Sequence, residues 1–172
     1  MLGTIDAGDM GITLTHEHLL CDTSYRFVEP KIDSQKELAN ARIKIENLDW
    51  IKRNQNSCLD NLSLLNEESA ISELHHYKKK GGGTVVDVGN IGLSRNPEGL
   101  ARISRATGIN IIMGAGYYVG TSHPPELASK TEDQITDEIV RDITIGVGDT
   151  GIKAGILGEI GCSYPLKDTE VK

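Results

Sequence analysis

Three short runs of β-branched and apolar residues constrain this chain more than any other feature: Thr84-Val85-Val86-Asp87-Val88-Gly89, Ile109-Asn110-Ile111-Ile112-Met113-Gly114 and Ala154-Gly155-Ile156-Leu157-Gly158-Glu159-Ile160-Gly161. Strands that are apolar almost throughout, rather than at alternate positions, are buried on both faces, as in a parallel sheet covered by helices. The intervening stretches read as helices with recognisable ends. Asn66 caps a helix whose first turn carries Glu67 and Glu68, whose apolar stripe is Ala70, Ile71, Leu74 and Tyr77, and which closes on Lys78, Lys79 and Lys80. Pro97 takes a first helical position after Asn96, with Leu100, Ile103 and Ala106 following before a stop at Gly108. Thr131 and Gln134 form a capping-box pattern ahead of Ile135, Ile139 and Ile143. Repeated βα units of this kind imply right-handed crossovers and a parallel sheet.

A further strand opens the chain at Gly11-Ile12-Thr13-Leu14-Thr15-His16-Glu17-His18. Side chains at i and i+2 share a face, so His16 and His18 point one way and Glu17 the other. Two imidazoles on one face at a strand end suit a divalent metal; two histidines with ordinary hydrogen bonds are the alternative. Glu159 is the second candidate. A carboxylate at the tail of so apolar a strand is paired or metal-bound, or else the strand stops one residue early and the group is solvated. Between the first strand and Asn66 lies an insertion at about 21–66, too long for a simple connection, in which Asn47 to Ser57 around Trp50 reads as a packed loop or a short helix. Four strands fall short of the roughly 250 residues of an eight-stranded βα barrel and would also make a small open sheet. Either architecture places its site at the carboxyl ends of the strands, where the histidines and Glu159 lie.

Composition removes several classes of function. A net charge of −7 argues against a nucleic-acid or membrane-surface partner, and 4% aromatic content against a base-stacking platform. No apolar run approaches a membrane span and no charged-then-apolar leader opens the chain. Cys21, Cys58 and Cys162 lack metal-finger spacing and read as reduced thiols, hence a cytoplasmic location. His75 and His76, beside three lysines, suit a helix C-terminus better than a metal. His123 is either a loop histidine or part of a substrate rim, and of Tyr117 and Tyr118 one faces substrate and the other packs outside. Asp87 either orients a ligand histidine or is a hydrogen-bonded structural carboxylate. Gly81, Gly82 and Gly83 precede a strand and so form no phosphate loop. Cys162 reads as a small buried residue.

The run from Gly11 to His18 resembles the first signature of the phosphotriesterase family of the amidohydrolase superfamily. Gly155-Ile156-Leu157-Gly158-Glu159-Ile160-Gly161-Cys162-Ser163 with Tyr164-Pro165-Leu166 is similar to its phosphotriesterase-related branch, as are Asn47-Leu48-Asp49-Trp50-Ile51 and Gly114-Ala115-Gly116-Tyr117-Tyr118-Val119. The resemblance runs over essentially the whole chain. It implies the N-terminal half, about four βα units, of a (β/α)8 TIM barrel: an incomplete metal-dependent hydrolase domain over residues 1–172. It also implies a binuclear centre, usually zinc, with two Zn2+ per complete site and other divalent metals as substitutes. His16 and His18 match the strand-one ligands, and Glu159 matches the strand-four carboxylate that bridges the metals in this branch; bacterial phosphotriesterases use a carbamylated lysine, which falls on Gly158 in an ungapped comparison. The remaining ligands, two histidines and an aspartate proton shuttle, come from strands five, six and eight, beyond Lys172. The implied reaction is hydrolysis of an ester, lactone or small N-acyl amide such as N-acetyltaurine, with this chain alone inactive and a small molecule as substrate. The alternative is a non-catalytic short product or a half-barrel that pairs with another chain. An open half-barrel would also expose Leu14, Val85 or Val86, Ile111 or Ile112, and Leu157, and would self-associate through its edges.

Overall fold

The computed structural model describes residues 2–172, in two compact units: residues 2–20 with 66–172, and residues 21–65. Numbered along the chain, the first unit contains β1 (Ile12–Glu17), α3 (Glu67–Lys79), β4 (Gly82–Asp87), α4 (Pro97–Thr107), β5 (Asn110–Ala115), α5 (Glu132–Thr144) and β6 (Ile156–Leu157). The second contains β2 (Cys21–Asp22), α1 (Asp33–Ala39), α2 (Leu48–Arg53) and β3 (Ser63–Leu64). In it β2 and β3 pair antiparallel, the stretch around Trp50 is helical in α2, and Ala39, Ile51, Cys58 and Leu62 are buried.

The larger unit is a curled parallel sheet in the order β1-β4-β5-β6, the arrangement of half a barrel. Its helices begin where the side chains satisfy the first free N–H groups. Asn66 accepts from the Ser69 N–H at 2.8 Å and Asn96 from the Gly99 N–H at 2.9 Å, with Pro97 following. Thr131 and Gln134 cap each other's backbone reciprocally. Gly108, at φ +65°, ends α4 in the left-handed conformation that favours glycine. The helix stripes then cover one face of the sheet: Ala70 and Leu74 from α3 and Leu100 and Ile103 from α4 form one cluster with Val85, Ile111, Met113 and Ala115. Ala106 stands exposed; Ala101, Ser104 and Thr107 take the buried positions of α4 instead. Arg95 joins β5 to α5, donating to the Gly114 carbonyl at 2.9 Å and to the Asp142 carboxylate at 2.7 Å, with both side chains buried.

Several sequence expectations shift. The second strand begins at Gly82 and ends at Asp87, two residues earlier than its β-branched run, because Gly82 pairs with Ile12 of β1. The fourth shrinks from eight residues to Ile156–Leu157: β6 meets a neighbour on one side only, and after a last bond to β5 from the Gly158 N–H to the Ala115 carbonyl its backbone turns away, Glu159 N–H donating to the Val88 carbonyl. Cys162 is exposed, not buried, since it follows that departure. Exposure falls on the outer strands, with Ile12, Leu14, Ile156 and Leu157 open to solvent. Val85, Val86 and Ile111 are buried and Ile112 half-buried, because β4 and β5 are flanked on both sides. No disulfide links the three cysteines, and among the described residues no helix is long and apolar enough to cross a membrane.

The segment after β6 is held by one carboxylate. Glu170 accepts from the Gly120 N–H at 2.6 Å and the Ser163 hydroxyl at 2.8 Å through one oxygen, and from the N–H groups of Ser163 and Lys167 at 3.0 and 2.9 Å through the other. These donors, the Lys167 and Gly120 amides foremost, pull its carboxyl down from 4.5 to about 2. Because the folded value is depressed, the stabilisation is complete above the ordinary value and is lost as pH falls toward the folded one. Thermal melts of the Glu170→Gln variant should therefore lie below those of the parent above about pH 5, with the gap closing as pH falls toward about 2. In the core, Ile103→Ala should lower the unfolding free energy by about 2–5 kcal/mol in urea titrations, since Ile103 has no exposed surface.

Candidate metal centre

At the carboxyl end of β1 the backbone pairing slips. From Leu14 to Glu17 the strand advances three residues while its partner advances two, from Val85 to Asp87, so one extra residue is accommodated beside His16. Here His16 and His18 lie edge to face, ring centroids 5.8 Å apart. Both turn Nε2 toward a single atom, Glu159 Oε2, at 3.6 Å from His16 and 3.1 Å from His18. One donor atom from each of the three residues falls within 4.8 Å of the others, and this is the one such group of three or more among the described residues. His16 is exposed, whereas His18 and Glu159 are about three-quarters covered.

Gly158 explains why residue 159, and not its neighbour, carries the carboxylate. A Cβ at 158 would stand 2.5 Å from the Val88 carbonyl oxygen and 3.3 Å from the Gly114 Cα. Gly114 is equally closed, its own Cβ position 2.8 Å from the Gly158 Cα. The strand ends meet backbone to backbone here, so the inward side chain must come from the next residue.

Asp87 makes no hydrogen bond to either imidazole. It accepts the Leu19 N–H at 2.8 Å and the Gly89 N–H at 2.9 Å, fixing the chain just after His18. Burial pushes its carboxyl up, and the two N–H bonds act against that rise. The remaining candidates stand elsewhere. His75 and His76 are exposed on α3. His123 donates from Nε2 to the Tyr118 carbonyl at 3.0 Å, which leaves Nδ1 to accept the Thr169 hydroxyl at 2.9 Å. Tyr117 is buried and donates to Glu138 at 2.6 Å, and its phenol is raised to about 12 by burial and by that carboxylate. The sequence reading passed over Asn90 and Glu170. Asn90, wholly buried, donates to the Glu159 carbonyl. Its place after a strand was readable, but its partner, sixty-nine residues on, left no local signal.

Two imidazole nitrogens and a carboxylate oxygen are the donor types of a zinc site. His18 Nδ1 is buried without a hydrogen-bond partner, so the ring's one polar contact is that of Nε2 with Glu159 Oε2 at the shared position. The residues present fit a divalent metal.

A model of the phosphotriesterase family matches residues 1–172. A Bos taurus protein described as N-acetyltaurine hydrolase is 42% identical over 173 residues, covering 100% of this chain and 49% of its own length. A Nematostella vectensis phosphotriesterase-related protein is 40% identical, covering 99% and 49%. The crystal structure of a resiniferatoxin-binding protein from Rhodobacter sphaeroides superposes with a TM-score of 0.93 at 36% identity, over 96% of this chain and 46% of that one. The chain thus spans about half the length of the relatives it matches, and it belongs to the phosphotriesterase family.

Proposed function

We propose that this chain contributes the strand-one and strand-four side of a divalent-metal hydrolase, with His16, His18 and Glu159 as ligands and zinc as the metal. The observation that carries the reading is the convergence of both Nε2 atoms on one Glu159 oxygen at the carboxyl ends of β1 and β6. A bound metal would supply Lewis acidity and an acidified water. The chain's own part is to hold the two histidine side chains and that of Glu159 in one group. The Glu159 side chain would offset part of a metal's charge, and in the whole protein it would serve a second ion as well. Relatives described as N-acetyltaurine hydrolases support a small N-acyl amide as substrate, with esters and lactones as the neighbouring classes. Three cysteines outside any disulfide agree with a cytoplasmic location.

A second reading, a non-catalytic half-barrel that associates with other chains, is favoured by the apolar residues exposed on β1 and β6. The two readings separate in solution. Zinc titration calorimetry on the 172-residue protein should give one binding event weakened about tenfold or more by His16→Ala, His18→Ala or Glu159→Ala. Equal affinity in the parent and all three variants would sink the metal reading. Sedimentation of the same protein should show association through the outer strands. N-acetyltaurine should not turn over until the missing half of the barrel is added in trans; turnover by these 172 residues alone would disprove the need for further ligands.

A further inference from the structure

Glu159 stands outside any strand. The β6 ladder stops at Leu157, and Gly158 has no side chain with which to anchor the bend. Yet the peptide groups on both sides of the Glu159 Cα are held by the segment that follows β4. Its N–H donates to the Val88 carbonyl at 2.9 Å, and its own carbonyl accepts from Asn90 Nδ2. The amide of Asn90 has one workable orientation: Oδ1 accepts the Gly92 N–H at 3.1 Å, so the nitrogen must face Glu159. Asn90 is completely buried, as is most of the turn that carries it, so it cannot follow Glu159 if that residue moves. Fixing both flanking peptides fixes the direction of the Glu159 Cα–Cβ bond, which leaves the carboxylate only its own side-chain torsions.

The geometry points to Asn90 as a positioning residue for Glu159. Through the Glu159 carbonyl it holds the carboxylate against His16 and His18, and so sets the affinity of the group for a divalent metal without touching the metal. This rests on the reading of those three residues as ligands. A buried amide that merely supported the fold would weaken metal binding, if at all, whether or not Glu159 kept its carboxylate. One that acts through Glu159 loses its effect once that carboxylate is gone.

A double-mutant cycle on metal affinity separates these cases. Asn90→Asp keeps the size and the acceptor for Gly92, but sets an oxygen against the Glu159 carbonyl in place of a donor. Cobalt(II) titrations of the 172-residue protein, followed by absorbance, should show Asn90→Asp weakening binding about tenfold. Glu159→Ala should weaken it further, and the double variant should match Glu159→Ala alone. Unchanged affinity in Asn90→Asp would overturn the inference, as would a tenfold loss repeated in full on top of Glu159→Ala. If Glu159→Ala itself binds cobalt as the parent does, the ligand reading fails, and this inference fails with it. Should Asn90→Asp lack a cooperative melt, Asn90→Ser, whose hydroxyl still serves the Gly92 N–H, takes its place in the same cycle.

Discussion

The backbone of Val88 is bonded in both directions, and the site depends on it. Its N–H donates to the Glu17 carbonyl at 3.1 Å, between the two histidines, and its carbonyl accepts the Glu159 N–H. Residues distant in sequence are therefore referred to one residue just past the end of β4. Asp87 and Asn90, on either side of it, repeat the arrangement with side chains, one bonded to the amide after His18 and the other to the carbonyl of Glu159. These four groups are buried, where a lost hydrogen bond is costly because no water replaces it. The carboxyl end of the sheet is thus made precise by backbone and amide bonds, and the side chains of His16, His18 and Glu159 inherit that precision.

Close approach of glycines makes the arrangement sterically possible. Gly114 and Gly158 let β5 and the end of β6 touch main chain to main chain, which brings Glu159 within reach of the Val88 carbonyl. The family resemblance had placed the carbamylated lysine of bacterial phosphotriesterases at 158. In this chain no side chain fits there, and the carboxylate one residue later approaches His16 and His18 from a backbone that has already left the strand.

Much of this was legible from local chemistry. The caps at Asn66, Asn96 and Thr131, the glycine stop at 108 and the same-face histidines all follow from side-chain reach and residue spacing, which act within a few positions. What stayed hidden depended on distant partners. The bulge beside His16 exists only relative to the register of β4. The shortness of β6 reflects its single neighbour rather than its apolar sequence. The covering of Val86 depends on strands to either side, and the roles of Asn90 and Glu170 depend on residues far along the chain.

The separate unit formed by residues 21–65 interrupts the sheet between its first two hydrogen-bonded neighbours. From α3 to β5 the contacts run between elements that are adjacent or next but one in sequence, β4 with β5 and α3 with α4 foremost, so this stretch can assemble quickly from near-local pairings. β1 must instead close a loop that contains a whole folded unit before it meets β4, and that closure is entropically the slower event. The two histidines arrive with β1. A metal that needs both of them and Glu159 would consequently bind late on the folding pathway, acting as a lock on a nearly finished sheet and not as a nucleus around which it forms.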